Sequence, residues 1–447
     1  MQSGNRSLLL RGGLVITMDA RIGDFISGDI LIESGKISAV APSIDAPDAE
    51  VIDARGRIVM PGLVDTHRHT WQSSLRHRLG DEDFLGYGCA MLRGMAPLYR
   101  PEDIYIGNLL GALSALDAGT TTLLDWSHAL NTPGHADAAI DALAGSRIRA
   151  VFAYGWSRND NRNWTQNSQL GHPEDIGRIR KERLHSDSAL VTLAMAARGP
   201  EMTSMEVVQS DFRFARELGI RMSMHAGVKV FADKYRAIEK MNGSRLLGPD
   251  LTLIHVCASS DDELRMMADN GVTASIGPQV EMNMSGAGIP ALGRLLAAGV
   301  RPSLSGDTET AGSGDLFTQM KFAFSCEKLL SGNKLVSTPV PKVMVRNVLD
   351  YATLGGAEAC GLQDRTGSLV PGKDADIIIV RADDLNLHPV TDPYGAIVLA
   401  AHPGNVESVL VRGEFRKRDG SLVGVDFDAV RRRARESRDW LLAASGV

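Results

Sequence analysis

An apolar run, Ile58 to Val64, stops abruptly at Asp65-Thr66-His67-Arg68-His69. Side chains alternate faces along an extended strand, so His67 and His69 point the same way. Two neutral imidazoles on one face at a strand's end suit a divalent metal such as zinc. An isolated His-x-His says little, because short motifs recur by chance. Three later segments change its weight. Met222-Ser223-Met224-His225, Leu251-Thr252-Leu253-Ile254-His255 and Arg301-Pro302-Ser303-Leu304-Ser305-Gly306-Asp307 are each a short strand ending in a polar group able to ligate or activate. Barrel enzymes place their chemistry at the C-terminal ends of several strands. His67, His69, His225 and Asp307, brought together that way, form a catalytic metal site with a position left for water.

The rest of the chain fits such a barrel. Its 447 residues are too many for one ordinary compact core but suit a barrel with a smaller appended domain. Residues 58–362 alternate strands with helices, the pattern of a parallel barrel. Eight strands are expected, near 58–66, 121–126, 147–156, 189–198, 221–226, 251–257, 272–277 and 301–306. Ile106, Leu109, Leu110, Leu113 and Leu116 recur at helical spacing after Pro101-Glu102-Asp103, which marks a helix start. Residues 1–57 and 363–424 both read as short strands with turn punctuation, and so as one small β domain built from the two termini. Residues 425–447 carry an amphipathic helix, Asp426 to Ala444, expected to pack on a neighbouring subunit of a homo-oligomer. Long connections at 70–100 and 157–188 would lie at the C-terminal face and shape a pocket or lid.

Composition narrows the function classes. The net charge is 48 − 54 = −6 with both signs interspersed, which gives no nucleic-acid surface. Cys89, Cys257, Cys326 and Cys360 make no C-x-x-C pair, which argues against a disulfide scaffold and fits a reducing cytoplasm. Met1 to Arg6 leads straight into Leu8-Leu9-Leu10-Arg11, too interrupted for a signal peptide. No apolar run approaches the ~20 residues of a membrane span. There is no H-E-x-x-H, and no H-x-E paired with P-C-x-x-C.

Pro61-Gly62-Leu63-Val64-Asp65-Thr66-His67-Arg68-His69 resembles the opening signature of the amidohydrolase superfamily, in the branch of cytosine deaminase, guanine deaminase and the triazine hydrolases. Ala118-Gly119-Thr120-Thr121-Thr122, the strand ending at His255, Ser305-Gly306-Asp307 and the segment Thr366 to Asp376 extend the resemblance over roughly residues 7 to 415. It implies an α/β fold: a distorted (β/α)8 TIM barrel beside a small β-sandwich. It also implies that His255 hydrogen-bonds the attacked group and stabilises oxyanion charge, although His255 could instead ligate the metal. A metal lowers the pKa of its water toward ~7, and Asp307 is placed to accept that water's proton and pass it to a leaving group. Relatives with two metals bridge them through a carboxylated lysine on the fourth strand. The strand Leu190 to Arg198 has no lysine, so one divalent metal is expected, Zn2+ before Fe2+.

Three departures bear on the substrate. Deaminases of this branch carry His-x-x-Glu after the fifth strand, whereas the segment here is His225-Ala226-Gly227-Val228. Glu281, in Gln279-Val280-Glu281-Met282-Asn283, is a candidate replacement carboxylate, or else a loop residue facing solvent. Where relatives have His-Ala-Pro after strand four, Arg198-Gly199-Pro200 stands. Arg198 would meet a carboxylate or carbonyl on the substrate, or form an ion pair between loops. Trp71, Gln72, Trp126 and His128 are expected to border an aromatic ligand. The expected function is therefore a metal-dependent hydrolase cleaving a C–N bond, by deaminase chemistry, in a small cyclic or aromatic substrate. The alternatives are an amide or carbamate hydrolase, a hydrolytic dehalogenase on the same metal site, or a non-catalytic scaffold.

Overall fold

The computed structural model describes residues 7–335 and 339–446. The segment Met1 to Arg6 read against a signal peptide lies outside them. Five strands open the chain: β1 (Leu8–Val15), β2 (Phe25–Glu33), β3 (Lys36–Ala41), β4 (Glu50–Asp53) and β5 (Arg57–Pro61). Eight more form the central sheet: β6 (Leu63–Arg68), β7 (Thr120–Ser127), β8 (Arg149–Tyr154), β9 (Val191–Ala197), β10 (Arg221–Ala226), β11 (Leu251–His255), β12 (Thr273–Ile276) and β13 (Pro302–Leu304). The last four are β14 (Ile377–Arg381), β15 (Val406–Val411), β16 (Glu414–Arg418) and β17 (Ser421–Leu422).

β6 to β13 run parallel in chain order with helices between them, a (β/α)8 barrel. β6 to β9 are buried along their whole length, as strands covered on both faces must be. The seam between last and first strands is made just beyond β13. The Asp307 amide donates to the His67 carbonyl at 3.0 Å, and the His69 amide donates to the Asp307 carbonyl at 2.7 Å.

β1–β5 and β14–β17 form a second, mostly antiparallel sheet from both termini, with its own core of Leu10, Val15, Ile30, Ile32, Ile377 and Leu410. Arg149, at the start of β8, ties this sheet to the barrel through Asp374 at 2.8 Å and Asp376 at 2.6 Å.

One strand boundary differs from the sequence reading. Residues expected to open the barrel at 58 belong to β5, which pairs with β1 and β14; the first barrel strand starts at Leu63. Gly62 is the pivot, where a Cβ would lie 2.1 Å from Thr121 Oγ1. Both strands are buried, so the apolar run continues across the break and periodicity cannot mark it. The C-terminal helix, Phe427–Ser445, lies on this chain's own helix Pro101–Asp117. Leu441 is buried, Arg100 sits 4.2 Å over the Trp440 ring, and Arg433 sits 4.8 Å over the Tyr105 ring. These contacts give the apolar stripe a partner without a neighbouring subunit. Among the described residues, no helix is long and apolar enough to cross a membrane.

Candidate metal centre and active site

Several barrel strands deliver a side chain to one place at their C-terminal ends. His67 is the penultimate residue of β6 with His69 just beyond the strand, Trp126 and His225 are penultimate in β7 and β10, and His255 ends β11. Arg68, between the two histidines, turns to the other face and pairs with Asp65 at 2.9 Å and Glu309 at 3.3 Å. The alternation expected of an extended strand thus leaves both imidazoles aimed at one point.

The ligand atoms of His67, His69 and Asp307 lie within 4.8 Å of one another, as do those of His67, His225 and His255. His67 Nε2 is 3.4 Å and His69 Nε2 is 3.6 Å from Asp307 Oδ1. Both ring nitrogens of His67 are buried without a hydrogen-bond partner among the described residues. Such orphaned atoms are costly unless something else satisfies them. His69 Nδ1 lies 2.9 Å from the Trp126 carbonyl, which fixes its proton there and leaves Nε2 free to ligate. Burial, then the neighbouring His67, pushes the His69 imidazole down to about 3, and burial likewise lowers His67 and His225. Burial would raise the Asp307 carboxyl, but the His67 contact and the surrounding imidazoles outweigh it and hold the group below its ordinary range. Neutral imidazoles and an ionised carboxylate are the protonation states a divalent metal requires. The sets His67–His69–Asp307 and His67–His225–His255 each offer a metal three donors, and they share His67.

His255 differs from the other three histidines. Its Nδ1 is 3.0 Å from Glu281 Oε1, and its Nε2 is 3.9 Å from Asp307 Oδ2. Burial lowers its pKa, but Glu281 and Asp307 outweigh burial and leave it raised. An imidazole N–H aimed at the centre can donate to an oxygen gaining negative charge. His255 and Asp307 both hold left-handed backbone, with φ of 72° and 55°. Non-glycine residues adopt that region rarely, and such strain gathers at functional sites.

The centre opens into a cavity of about 80 Å³. Its apolar wall includes Phe84, Tyr87 and Leu92 from the connection after β6, with Phe231 and Met284 opposite. Its polar wall is Trp126, His128, Trp156, Arg158, Glu201 and Thr308. His128 Nδ1 and Trp156 Nε1 are buried there with no partner among the described residues. Arg158 donates to the His128 carbonyl at 2.8 Å and to Asn161 Oδ1 at 2.6 Å, both neutral acceptors, and burial pulls its guanidinium down to about 9.

Trp126 and His128 thus line the cavity, and Glu281 reaches its edge while engaged with His255 and with the Gly277 amide at 2.8 Å. Three residues expected at the substrate stand one layer back. Trp71 is fully buried against Tyr99 and His128. Gln72 donates to the Tyr87 hydroxyl at 2.8 Å and accepts from Thr308 Oγ1 at 2.6 Å, bracing two wall residues from behind. Both sit on the 3-10 turn Thr70–Leu75, which ends the two-residue alternation. Arg198 turns outward to Asp211, at 3.0 Å, on the helix Met205–Glu217, which is the ion-pair alternative. Arg158 and Glu201 were missed by the sequence reading. Glu201 follows directly on the segment read for Arg198, and nothing in its spacing marks it.

A sequence model of the Amidohydrolase family matches residues 58–416. The chain belongs to the amidohydrolase family. It is similar to the 5'-deoxyadenosine deaminase of Methanosarcina mazei, 26% identical over 444 residues and covering 98% of each chain. It is also similar to the 5-methylthioadenosine/S-adenosylhomocysteine deaminase of Caldicellulosiruptor saccharolyticus, 25% identical over 437 residues, covering 95% of this chain and 96% of that one. Among solved structures, the fold matches an adenosine deaminase from Xanthomonas campestris with bound zinc (TM-score 0.83, 21% identity, 98% and 99% coverage). It also matches a variant of atrazine chlorohydrolase from Arthrobacter aurescens complexed with zinc and atraton (TM-score 0.86, 22% identity, 96% and 100% coverage). As a member of this family the protein is a metal-dependent hydrolase of non-peptide carbon–nitrogen bonds.

Proposed function

We propose that the protein is a mononuclear zinc aminohydrolase that releases ammonia from a small heteroaromatic ring carrying a carbonyl or carboxylate group. The observation that carries this reading is the meeting of two candidate ligand sets, His67–His69–Asp307 and His67–His225–His255, at one buried histidine, His67. The two candidate ligand sets share His67, which favours one centre over two. When bound, the metal supplies a water acidic enough to be ionised near neutral pH. Asp307 takes the water's proton and returns it to the departing amine, while His255 donates to the oxygen added at carbon.

The curated relatives act on adenosine derivatives, whereas the inner, water-accessible room of this partly open cavity is about 80 Å³. That favours a small ring over a nucleoside. Arg158, with no carboxylate partner among the described residues, faces the carbonyl or carboxylate; His128 and Trp156 meet polar ring edges. We carry forward a cytoplasmic location, which four free cysteines favour, and a homo-oligomeric state that light scattering would decide.

The test is a panel of amino-substituted azoles, pyrimidines, pterins and triazines, with N-acyl amines and chlorotriazines alongside, run on zinc- and iron-loaded protein. Ammonia should be released, with about one metal bound per chain and turnover lost on chelation. Carboxylate or chloride release without ammonia would replace this reading with amide hydrolysis or dehalogenation.

A further inference from the structure

Glu201 lies in the connection after β9, in the cavity wall with His225, His255 and Asp307. Its side chain is buried, and no lysine, arginine or histidine pairs with it among the described residues. Its Oε1 accepts from the Gly227 amide at 2.9 Å. The carboxyl is therefore fastened to the loop that follows His225, beside Val228, the position where a side-chain carboxylate is missing from the sequence. Its other oxygen accepts no bond from any described residue. That oxygen is not sealed away without a partner, and Glu201 lines the cavity, so the oxygen is open to a ligand there. Glu281, which also lines the cavity, is held through Oε1 by His255 and the Gly277 amide, and its Oε2 is buried without a partner among the described residues.

We propose that Glu201 is the acid–base group for the substrate's ring nitrogen. The inference rests on the aminohydrolase reading above. In the first step the water oxygen bonds to the amine-bearing carbon. One water proton passes to Asp307, and the Glu201 proton passes to the ring nitrogen as the C=N π pair moves onto it. In the second step Asp307 returns its proton to the amine, and the C–N bond breaks with its electron pair leaving in ammonia. The hydroxyl proton goes back to Glu201 as the carbonyl forms. The products are the ring carbonyl with an adjacent N–H and ammonia, and both carboxyls regain their starting states.

This cycle needs Glu201 protonated at the start. Burial raises its carboxyl to about 7, with the Gly227 amide and His255 opposing that shift and Glu263 adding to it.

Glu201→Gln separates catalysis from support, because the amide oxygen can still accept from Gly227 while no proton can be transferred. With zinc-loaded protein and the best ammonia-releasing amine of the panel, kcat should fall on the order of 10²- to 10⁴-fold. KM should change by less than about threefold, a shift worth under one hydrogen bond. Zinc content and thermal melting should match the parent. Adding Val228→Glu to this variant should recover at least about tenfold in kcat, since it offers a carboxyl from the neighbouring loop. Independently of turnover, pH-difference infrared spectra should show a protonated carboxyl band, titrating near neutral pH, that Glu201→Gln lacks. Retained kcat in Glu201→Gln, or the same infrared band in both proteins, overturns the assignment. If no amine in the panel yields ammonia, the aminohydrolase reading itself fails; if ammonia is released and only Glu201→Gln is silent, that reading stands without Glu201.

Discussion

Glu281 touches His255 at one ring nitrogen and a backbone amide with the same oxygen. Through that contact its contribution should show in pH dependence. Its carboxylate helps raise the His255 pKa against burial. Glu281→Gln removes that charge, so the His255 pKa falls and the imidazolium is lost at a lower pH. The alkaline limb of the kcat/KM profile should therefore move toward acid, with a rate loss of about 10- to 100-fold, the usual cost of removing a supporting partner. An unmoved alkaline limb would detach Glu281 from His255. Arg158 makes a different prediction. Its guanidinium, without a carboxylate partner among the described residues, should bind rather than react, so Arg158→Met should raise KM by about 10- to 100-fold, the ~1.5–3 kcal/mol of a charged hydrogen bond, with kcat little changed. Equal KM for substrates with and without the carbonyl or carboxylate would remove that role. These residue-level roles were unevenly legible. Histidines and an aspartate at strand ends announce themselves by type and position. Arg158 and Glu201 do not, because their meaning comes from lacking a counter-charge, and that is a property of the packed structure.

The connection after β6 depends on a close approach between two backbones. A Cβ on Gly107, in the helix Pro101–Asp117, would lie 2.3 Å from the Trp71 carbonyl oxygen. The 3-10 turn Thr70–Leu75 can rest on that helix only while residue 107 has no side chain. Gly107→Ala should therefore push the turn outward and cost about 1–3 kcal/mol, as overpacking does. Because Gln72 braces Tyr87 and Thr308, activity should fall along with the melting temperature. Unchanged melting and activity would show that the turn is not pinned there. The strand–helix alternation of the barrel was legible because buried parallel strands are short apolar runs between turn signals. The break at Gly62 was hidden inside one such run, and the inward or outward sense of Trp71, Gln72 and Arg198 was hidden by turns that interrupt alternation.

The molecule's two sheets are joined through charge. Arg149 and Asp376 are both fully buried, 2.6 Å apart, with Asp374 alongside. Arg149→Met would leave buried carboxylates unpaired, and removing one member of such a pair typically costs about 3–5 kcal/mol. Denaturant unfolding should register that loss, and a variant as stable as the parent would mean the carboxylates find other partners. That both termini share one sheet was legible from strand-rich ends flanking an α/β middle. The pairing of β5 with β14, more than three hundred residues apart in sequence, was not, since register between distant strands leaves no local trace.

The barrel seam has a consequence for the order of events in the chain's history. The peptide groups that close the ring, between His67, His69 and Asp307, belong to the residues that would grip the metal. Assembly of the ring and assembly of the site are therefore one event, and it waits for the most distant contact in the barrel, the kind that forms late in folding. A chain still emerging from the ribosome holds its first two imidazoles long before it has the aspartate. Hydrolytic chemistry is thus withheld until the last barrel strand has arrived, and a product truncated ahead of it would be inert.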